Sequence, residues 1–193
     1  RDVHKRRDAV LALSEARKVF DADQNIEARE AAIEANRLSP DLIPAAVMAA
    51  HGYVEQDQKK YATRVIKKAW DVSPHPDLAA AYAAIEPGEE AKARLKRFTW
   101  LTKGQAKHAE SRMLMAELHM ANEDFPEARR ALDDLFETDP TARSATLMAA
   151  IERGEGAGDT VVKGWLTRAL SLPRGPQWIC DNCQHIHAEW APM

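Results

Sequence analysis

Cysteine is almost missing from this chain: its 193 residues contain two, Cys180 and Cys183, close together near one end. Such a pair makes a poor disulfide framework for a protein of this size, so the two thiols read as metal ligands or a redox pair. Long hydrophobic runs are missing too. No stretch approaches the roughly 18 apolar residues required to cross a bilayer, and no secretory leader is visible. The first residue is Arg1 and not a methionine, which predicts that a segment upstream has been removed. Charge of one sign is also lacking: 27 basic and 30 acidic side chains leave a net charge of -3, with no global attraction for nucleic acid. The signatures of catalysis are absent as well. There is no glycine-rich phosphate loop, no His-Glu-x-x-His and no serine elbow, and abundant Asp and Glu do not by themselves assemble a site.

What is present is the composition of a folded domain, 45% hydrophobic and 30% charged, and a repeat. Leu38-Ser39-Pro40 and Val72-Ser73-Pro74 lie 34 positions apart, and Thr138-Asp139-Pro140 follows 66 further on, close to two more periods. Ala28, Ala62 and Ala128 each precede their proline by 12 positions. A small residue at that point lets two helices approach closely, and the proline stops the second helix before a new pair begins. This is the logic of a helical repeat.

The unit ending at Pro74 is the clearest. Ala46, Ala49, Ala50 and Tyr53 share one stripe of a first helix, Ala62, Ile66 and Ala69 one stripe of a second, and the polar run Glu55 to Gln58 supplies the turn. In the unit ending at Pro140, Met115, Ala116 and His119 precede a turn at Asn122-Glu123-Asp124, and Ala128, Leu132 and Leu135 follow on one second helix. Pro126 suits the first turn of that helix, where its missing N–H would be unpaired anyway. Between these two units the spacing is compressed: Leu78 to Ile85 predicts a short helix and Ala91 to Leu101 its degenerate partner. Arg1 to Phe20, with Val10, Leu13, Arg17 and Phe20 along it, pairs with Asn25 to Leu38, and Ala142 to Arg153 with Thr160 to Leu170. Trp70, Trp100 and Trp165 are expected to seal seams between helices, each needing a partner for its indole N–H. His75, between Pro74 and Pro76, reads as a rigid corner, and His51 and His119 as packing or surface positions.

The expected fold is therefore all-α. It is a tetratricopeptide-like helical-hairpin solenoid of about four to five repeats over residues 1–176, with a third, degenerate unit, followed by a short incomplete metal-knuckle tail over 177–193. The 34-residue step with small, aromatic, small, hydrophobic, small and proline positions resembles tetratricopeptide repeats. The run Lys68-Ala69-Trp70-Asp71-Val72-Ser73-Pro74-His75-Pro76-Asp77-Leu78, and Gly164-Trp165-Leu166-Thr167-Arg168-Ala169 ahead of Trp178-Ile179-Cys180, resemble the HemY family of proteobacterial inner-membrane proteins. That resemblance implies an anchor in the inner membrane ahead of the repeats, an association with late heme biosynthesis, and membrane-associated heme-pathway enzymes as protein partners. In alphaproteobacterial members it further implies a second cysteine pair just after the stretch that reads Trp190-Ala191-Pro192-Met193 here. The layout also resembles that of a lipopolysaccharide-assembly protein with tetratricopeptide repeats and a rubredoxin-like tail. The alternative expectation is thus a scaffold for another envelope pathway, and a porphyrin-transforming enzyme is the third.

Cys180 and Cys183 have the Cys-x-x-Cys spacing that lets two thiolates approach one ion, whereas a closed zinc site wants four ligands in a tetrahedron. With the family's following pair they imply zinc in the longer protein, and iron suits the same donors. His185 and His187 are poorly placed to complete that tetrahedron. A redox pair of the thioredoxin kind wants a strand-helix setting, and covalent heme attachment wants a histidine where Gln184 stands. Noncovalent heme is assigned to no residue. Lys59, Lys60, Arg64, Lys67 and Lys68 form one basic stretch, and Lys92, Arg94, Lys96 and Arg97 another; each is a solvated helix face or a surface for an acidic partner or an anionic bilayer. No nucleic-acid motif accompanies them. Tyr53, Lys60, Arg64, Lys67 and His119 are the candidate partner-binding residues, and catalytic residues are not expected.

Overall fold

A computed structural model describes residues 2–20, 25–179, 185–187 and 190. Among the described residues the chain is built of α-helices with one short strand pair, and its contacts divide it into two compact units, Arg1–Gly88 with Glu189–Met193, and Glu89–Ala188. The division falls in the turn before Glu89, inside the compressed stretch.

The first unit contains α1 (Asp2–Phe20), α2 (Asn25–Leu38), α3 (Ile43–Glu55), α4 (Lys59–Val72) and α5 (Pro76–Ile85). Successive helices pack on one another, and α5 lies against both α3 and α4. Alanine makes these approaches possible: Ala28, Ala32 and Ala35 of α2, Ala45, Ala46, Ala49 and Ala50 of α3, and Ala62 and Ala69 of α4 are all buried. Trp70 and Tyr82 supply the bulk that alanine lacks. No partner for the buried indole nitrogen of Trp70 occurs among the described residues, contrary to expectation. In the turn after α2, Asp41 accepts from the Ser39 hydroxyl at 2.8 Å and from Arg6 of α1 at 2.7 Å. Trp190 packs with Ala9, Leu13, Ala35, Leu42 and Ala45.

The second unit contains α6 (Ala91–Thr102), α7 (Ala109–Ala121), α8 (Phe125–Leu132), α9 (Leu135–Thr138), α10 (Ala142–Gly154) and α11 (Asp159–Ser171). Its core gathers Met113, Ala116, Ala128, Leu132, Leu135, Leu147 and Ile151. Arg143 of α10 binds Glu110 and Glu117 of α7 at 2.8 to 2.9 Å, and Arg129 of α8 binds Glu152 and Glu155 at 3.0 and 2.6 Å. The expected single helix through Leu135 breaks at Asp133, whose φ of 47° is left-handed. Arg112 of α7 explains how the break is tolerated: its guanidinium donates to the carbonyls of Ala131 and Leu132 and to the Asp134 carboxylate. Carbonyls freed by the interruption thus keep a donor.

The hairpin turns repeat one device. After α3, α7 and α10 the chain takes a left-handed residue, Asp57 (φ 57°), Glu123 (φ 59°) and Gly156 (φ 88°). The next N–H then returns to the last turn of the helix: Gln58 to Tyr53 at 2.8 Å, Asp124 to His119 at 2.9 Å and Ala157 to Glu152 at 2.9 Å. This closure uses helix-end carbonyls that would otherwise be unpaired. Histidine starts two helices: His75 Nδ1 accepts from the Asp77 N–H and His108 Nδ1 from the Glu110 N–H, both at 3.1 Å. The corner expected at His75 is an N-cap.

Beyond α11, β1 (Trp178–Ile179) pairs antiparallel with β2 (Ile186–His187), in the register Trp178 with His187 and Ile179 with Ile186. This strand pair lies in the stretch expected as a short tail after the helical repeats. Trp100 departs from expectation, being 49% exposed instead of sealed in a seam. No helix among the described residues is long and apolar enough to cross a membrane.

Candidate protein-interaction surface

The α3–α4 hairpin carries four of the five candidate partner-binding residues. Ala62, Ile66, Ala69 and Trp70 face its core, which leaves Lys60, Arg64, Lys67 and Lys68 on the opposite face of α4. Tyr53 of α3 stacks on Tyr61 of α4, with ring centroids 5.5 Å apart and planes 25° from parallel, and Arg64 lies over the Tyr61 ring at 5.8 Å. The pair forms an aromatic platform beside the cations.

The pairing of those cations separates the two basic stretches. On α4, Lys67 is tied to Asp71 and Lys59 to Glu86, whereas Lys60, Arg64 and Lys68 have no carboxylate partner among the described residues. In the second stretch Glu89 is shared by both arginines, with Arg97 at 2.8 Å and Arg94 at 4.0 Å, while Lys92 and Lys96 have no carboxylate partner among the described residues. Among the described residues both helices therefore keep cations without carboxylates, three on α4 and two on α6, and those of α4 stand beside the Tyr53–Tyr61 platform. Sequence alone could not tell the stretches apart, because Glu89 lies eight residues from Arg97 and reaches it across a helix start.

His119, the fifth, belongs to the second unit. It is partly buried, with Nδ1 4.0 Å from the Asp124 carboxylate. His51 is exposed. Cys180 and Cys183 lie outside the described residues. Among the described residues no group of three His, Cys, Asp or Glu side chains converges on a metal-sized site. The rings of His185 and His187 meet edge to face at 5.1 Å, and His187 Nε2 is buried without a hydrogen-bond partner.

A groove in the second unit was not anticipated. Phe136 of α9 and Trp165 of α11 meet edge to face at 4.7 Å, and with Glu137, Pro140, Arg168 and Leu172 they line a cavity of about 580 Å³. The signal available in sequence was Trp165, Arg168 and Leu172 at helical spacing, but their partner Phe136 depends on the break at Asp133.

Comparison with known proteins agrees with the repeat. Residues 88–151 match the tetratricopeptide repeat family. No curated protein matches the chain. Among solved structures, the MamA protein is similar at 13% identity, over 84% of this chain and 90% of that one, with a TM-score of 0.49. A tetratricopeptide repeat protein from Parabacteroides merdae is similar at 15% identity, over 82% of this chain and 70% of that one, with a TM-score of 0.41. Helix pairs joined by recurring left-handed turns, and the family match over residues 88–151, make this an all-α protein of tetratricopeptide-like helical hairpins.

Proposed function

We propose that the chain is a protein-binding scaffold whose α3–α4 hairpin receives an acidic surface of its partner. The supporting observation is the row of cations left without carboxylates at Lys60, Arg64 and Lys68, next to the Tyr53–Tyr61 platform. Helical hairpins present such faces without any catalytic group, and charge complementarity sets partner choice and encounter rate more than raw affinity. The resemblance to the HemY family at Lys68 to Leu78 supports a specific version: the longer protein is tethered to the inner membrane and gathers membrane-associated enzymes of heme production. Capture from membrane extracts compares the wild type with a Lys60→Glu, Arg64→Glu, Lys68→Glu variant. The expected result is recovery of heme-pathway enzymes by the wild type in a salt-sensitive manner, with at least about a tenfold loss in the variant. Salt-insensitive capture retained by the variant overturns the electrostatic face. Turnover of a porphyrin by the purified protein alone overturns the scaffold.

The tail supports a second reading, zinc held by Cys180 and Cys183 and completed by a cysteine pair beyond Met193. The pairing of β1 with β2 favours it, because it brings together the chain on either side of the cysteine segment. Two thiolates satisfy half of a zinc tetrahedron, and the following cysteine pair would supply the other half. Zinc bound there would hold the tail together as a structural crosslink. Metal analysis of a chain extended through the next cysteine pair is expected to give about one zinc per protein; a stoichiometry near zero overturns the reading.

A further inference from the structure

The groove of the second unit has a different chemistry from the α4 face. Arg168 stands 4.6 Å from the Phe136 ring centroid and 5.0 Å from that of Trp165, and it forms no ion pair among the described residues. Two rings therefore hold the guanidinium in place without neutralising it. Arginine is suited to this, since its flat, weakly hydrated cation stacks on aromatics and keeps its N–H edge for a carboxylate. Pro140 and Leu172 give the cavity apolar walls, and Glu137 stands on its rim. The helix that carries Trp165 and Arg168 is apolar toward solvent: Val161, Leu166 and Leu170 are exposed, Leu170 at 88%. Val162 is the one buried residue of this helix.

We infer that this groove is a docking site for a short acidic, apolar segment of a partner protein, seating an aromatic or leucine side chain against Phe136 and Trp165 and a neighbouring carboxylate on Arg168. Charge complementarity selects this occupant. One uncompensated cation among apolar walls matches a single carboxylate beside an apolar side chain. An anionic membrane surface draws on clusters of cations, and this groove offers one, Arg168. The cavity volume of about 580 Å³ falls in the range of ligand pockets and is ample for an anchoring side chain. This site is separate from the α4 face and does not depend on the reading given to that face.

The experiment uses the full chain and a fluorescein-labelled hexapeptide carrying an aspartate next to a phenylalanine, with a lysine-for-aspartate peptide as control, followed by anisotropy. The acidic peptide is expected to saturate. Arg168→Glu should weaken it by at least about tenfold and strengthen the lysine peptide, a charge swap that loss of folding could not produce. Arg168→Lys, which keeps the charge but loses the flat stack, should fall in between. The Lys60, Arg64, Lys68 reversal should leave binding at the groove unchanged. The inference is overturned by absence of saturable binding, by equal affinity in wild type and Arg168→Glu, or by loss of binding in the α4 variant alone. A wild-type dimer that disperses in Arg168→Glu would also overturn it, since a second copy would then be the occupant.

Discussion

The two units solve the same packing problem with different side chains. In Arg1–Gly88 the helices meet through alanines such as Ala28, Ala46, Ala49, Ala62 and Ala69, and a few large residues fill the remaining space, Trp70 and Tyr82 above all. In Glu89–Ala188 the seams are filled by Met113, Leu132, Leu135, Leu147 and Ile151, and ion pairs of Arg129 and Arg143 tie neighbouring helices at their margins. Small-residue packing fixes the helices by backbone approach and leaves little room for larger groups. Packing through leucine and methionine tolerates a broken helix and an open groove, because long side chains bridge what the backbone does not close. The first unit carries the unpaired cations of α4, and the second the groove at Phe136 and Trp165.

The largest effect is expected from removing the bulk on which the alanine unit relies. Trp70→Ala should cost about 3–5 kcal/mol, since few neighbours can collapse into the space, and hydrogen exchange should lose protection in α2 to α5. Leu132→Ala in the second unit should cost about 2–5 kcal/mol and move protection in α7, α8 and α10 instead. If either substitution deprotects both units to the same depth, the two pack and unfold as one, and the contrast between them is lost.

Adding bulk reverses the roles. Ala49, completely buried in α3, has no space for a leucine, so Ala49→Leu should destabilise the first unit by about 1–3 kcal/mol in urea unfolding. The second unit has its own close approach at one point, where a Cβ on Gly154 would run into the Phe125 ring. Gly154→Ala should cost about 1–3 kcal/mol by that clash, less about 1 kcal/mol recovered from better helix propensity. Gly154→Ala in a Phe125→Ala background should lose the penalty. An Ala49→Leu variant as stable as the wild type would show that the alanine seams are loose.

The alanine positions were legible in the sequence of both units. Ala28 and Ala62 in the first and Ala128 in the second, each 12 positions before a proline, are all buried, because the repeat requires a small residue at the helix crossing wherever it recurs. Helix limits in the compressed stretch were legible too, at α5 and α6, since proline and the Glu86 to Glu90 turn punctuate them. What was not legible depends on contacts distant in sequence. The break at Asp133 rests on Arg112, some twenty residues earlier, and the groove in turn rests on that break. The caps at His75 and His108 were missed because histidine is seldom read as a capping residue. Of the interaction residues, the charge of α4 was visible, but the pairing of Arg94 and Arg97 with Glu89 was not.

The smallest expected effect sets the carboxylates of the two units against each other. Burial opposes ionisation of Asp41, but the Ser39 hydroxyl, its own backbone amide and Arg6 together outweigh it and hold its carboxyl below the ordinary 3.8. At Glu110 burial prevails, pushing the carboxyl above the ordinary 4.5 against the attraction of Arg143, with the charge of Glu117 adding to the rise. A lowered carboxyl stabilises the fold above its unfolded value and loses that contribution as the pH falls below 3.8 through the folded value. A raised one contributes fully below 4.5 and loses that contribution as the pH rises above it through the folded value. Asp41→Asn should therefore be less stable than wild type at neutral pH, by less than about 1 kcal/mol because Asp41 is substantially exposed, and the gap should close in acid. Glu110→Gln should behave in the opposite way: near or above the wild type at neutral pH, and falling behind it as acid protonates Glu110. Urea unfolding of both variants across about pH 3 to 7 checks the signs. If the two stability differences move in the same direction, the carboxylates obey one environment, and the distinction between a polar turn in the first unit and a buried ion pair in the second fails at its most sensitive point.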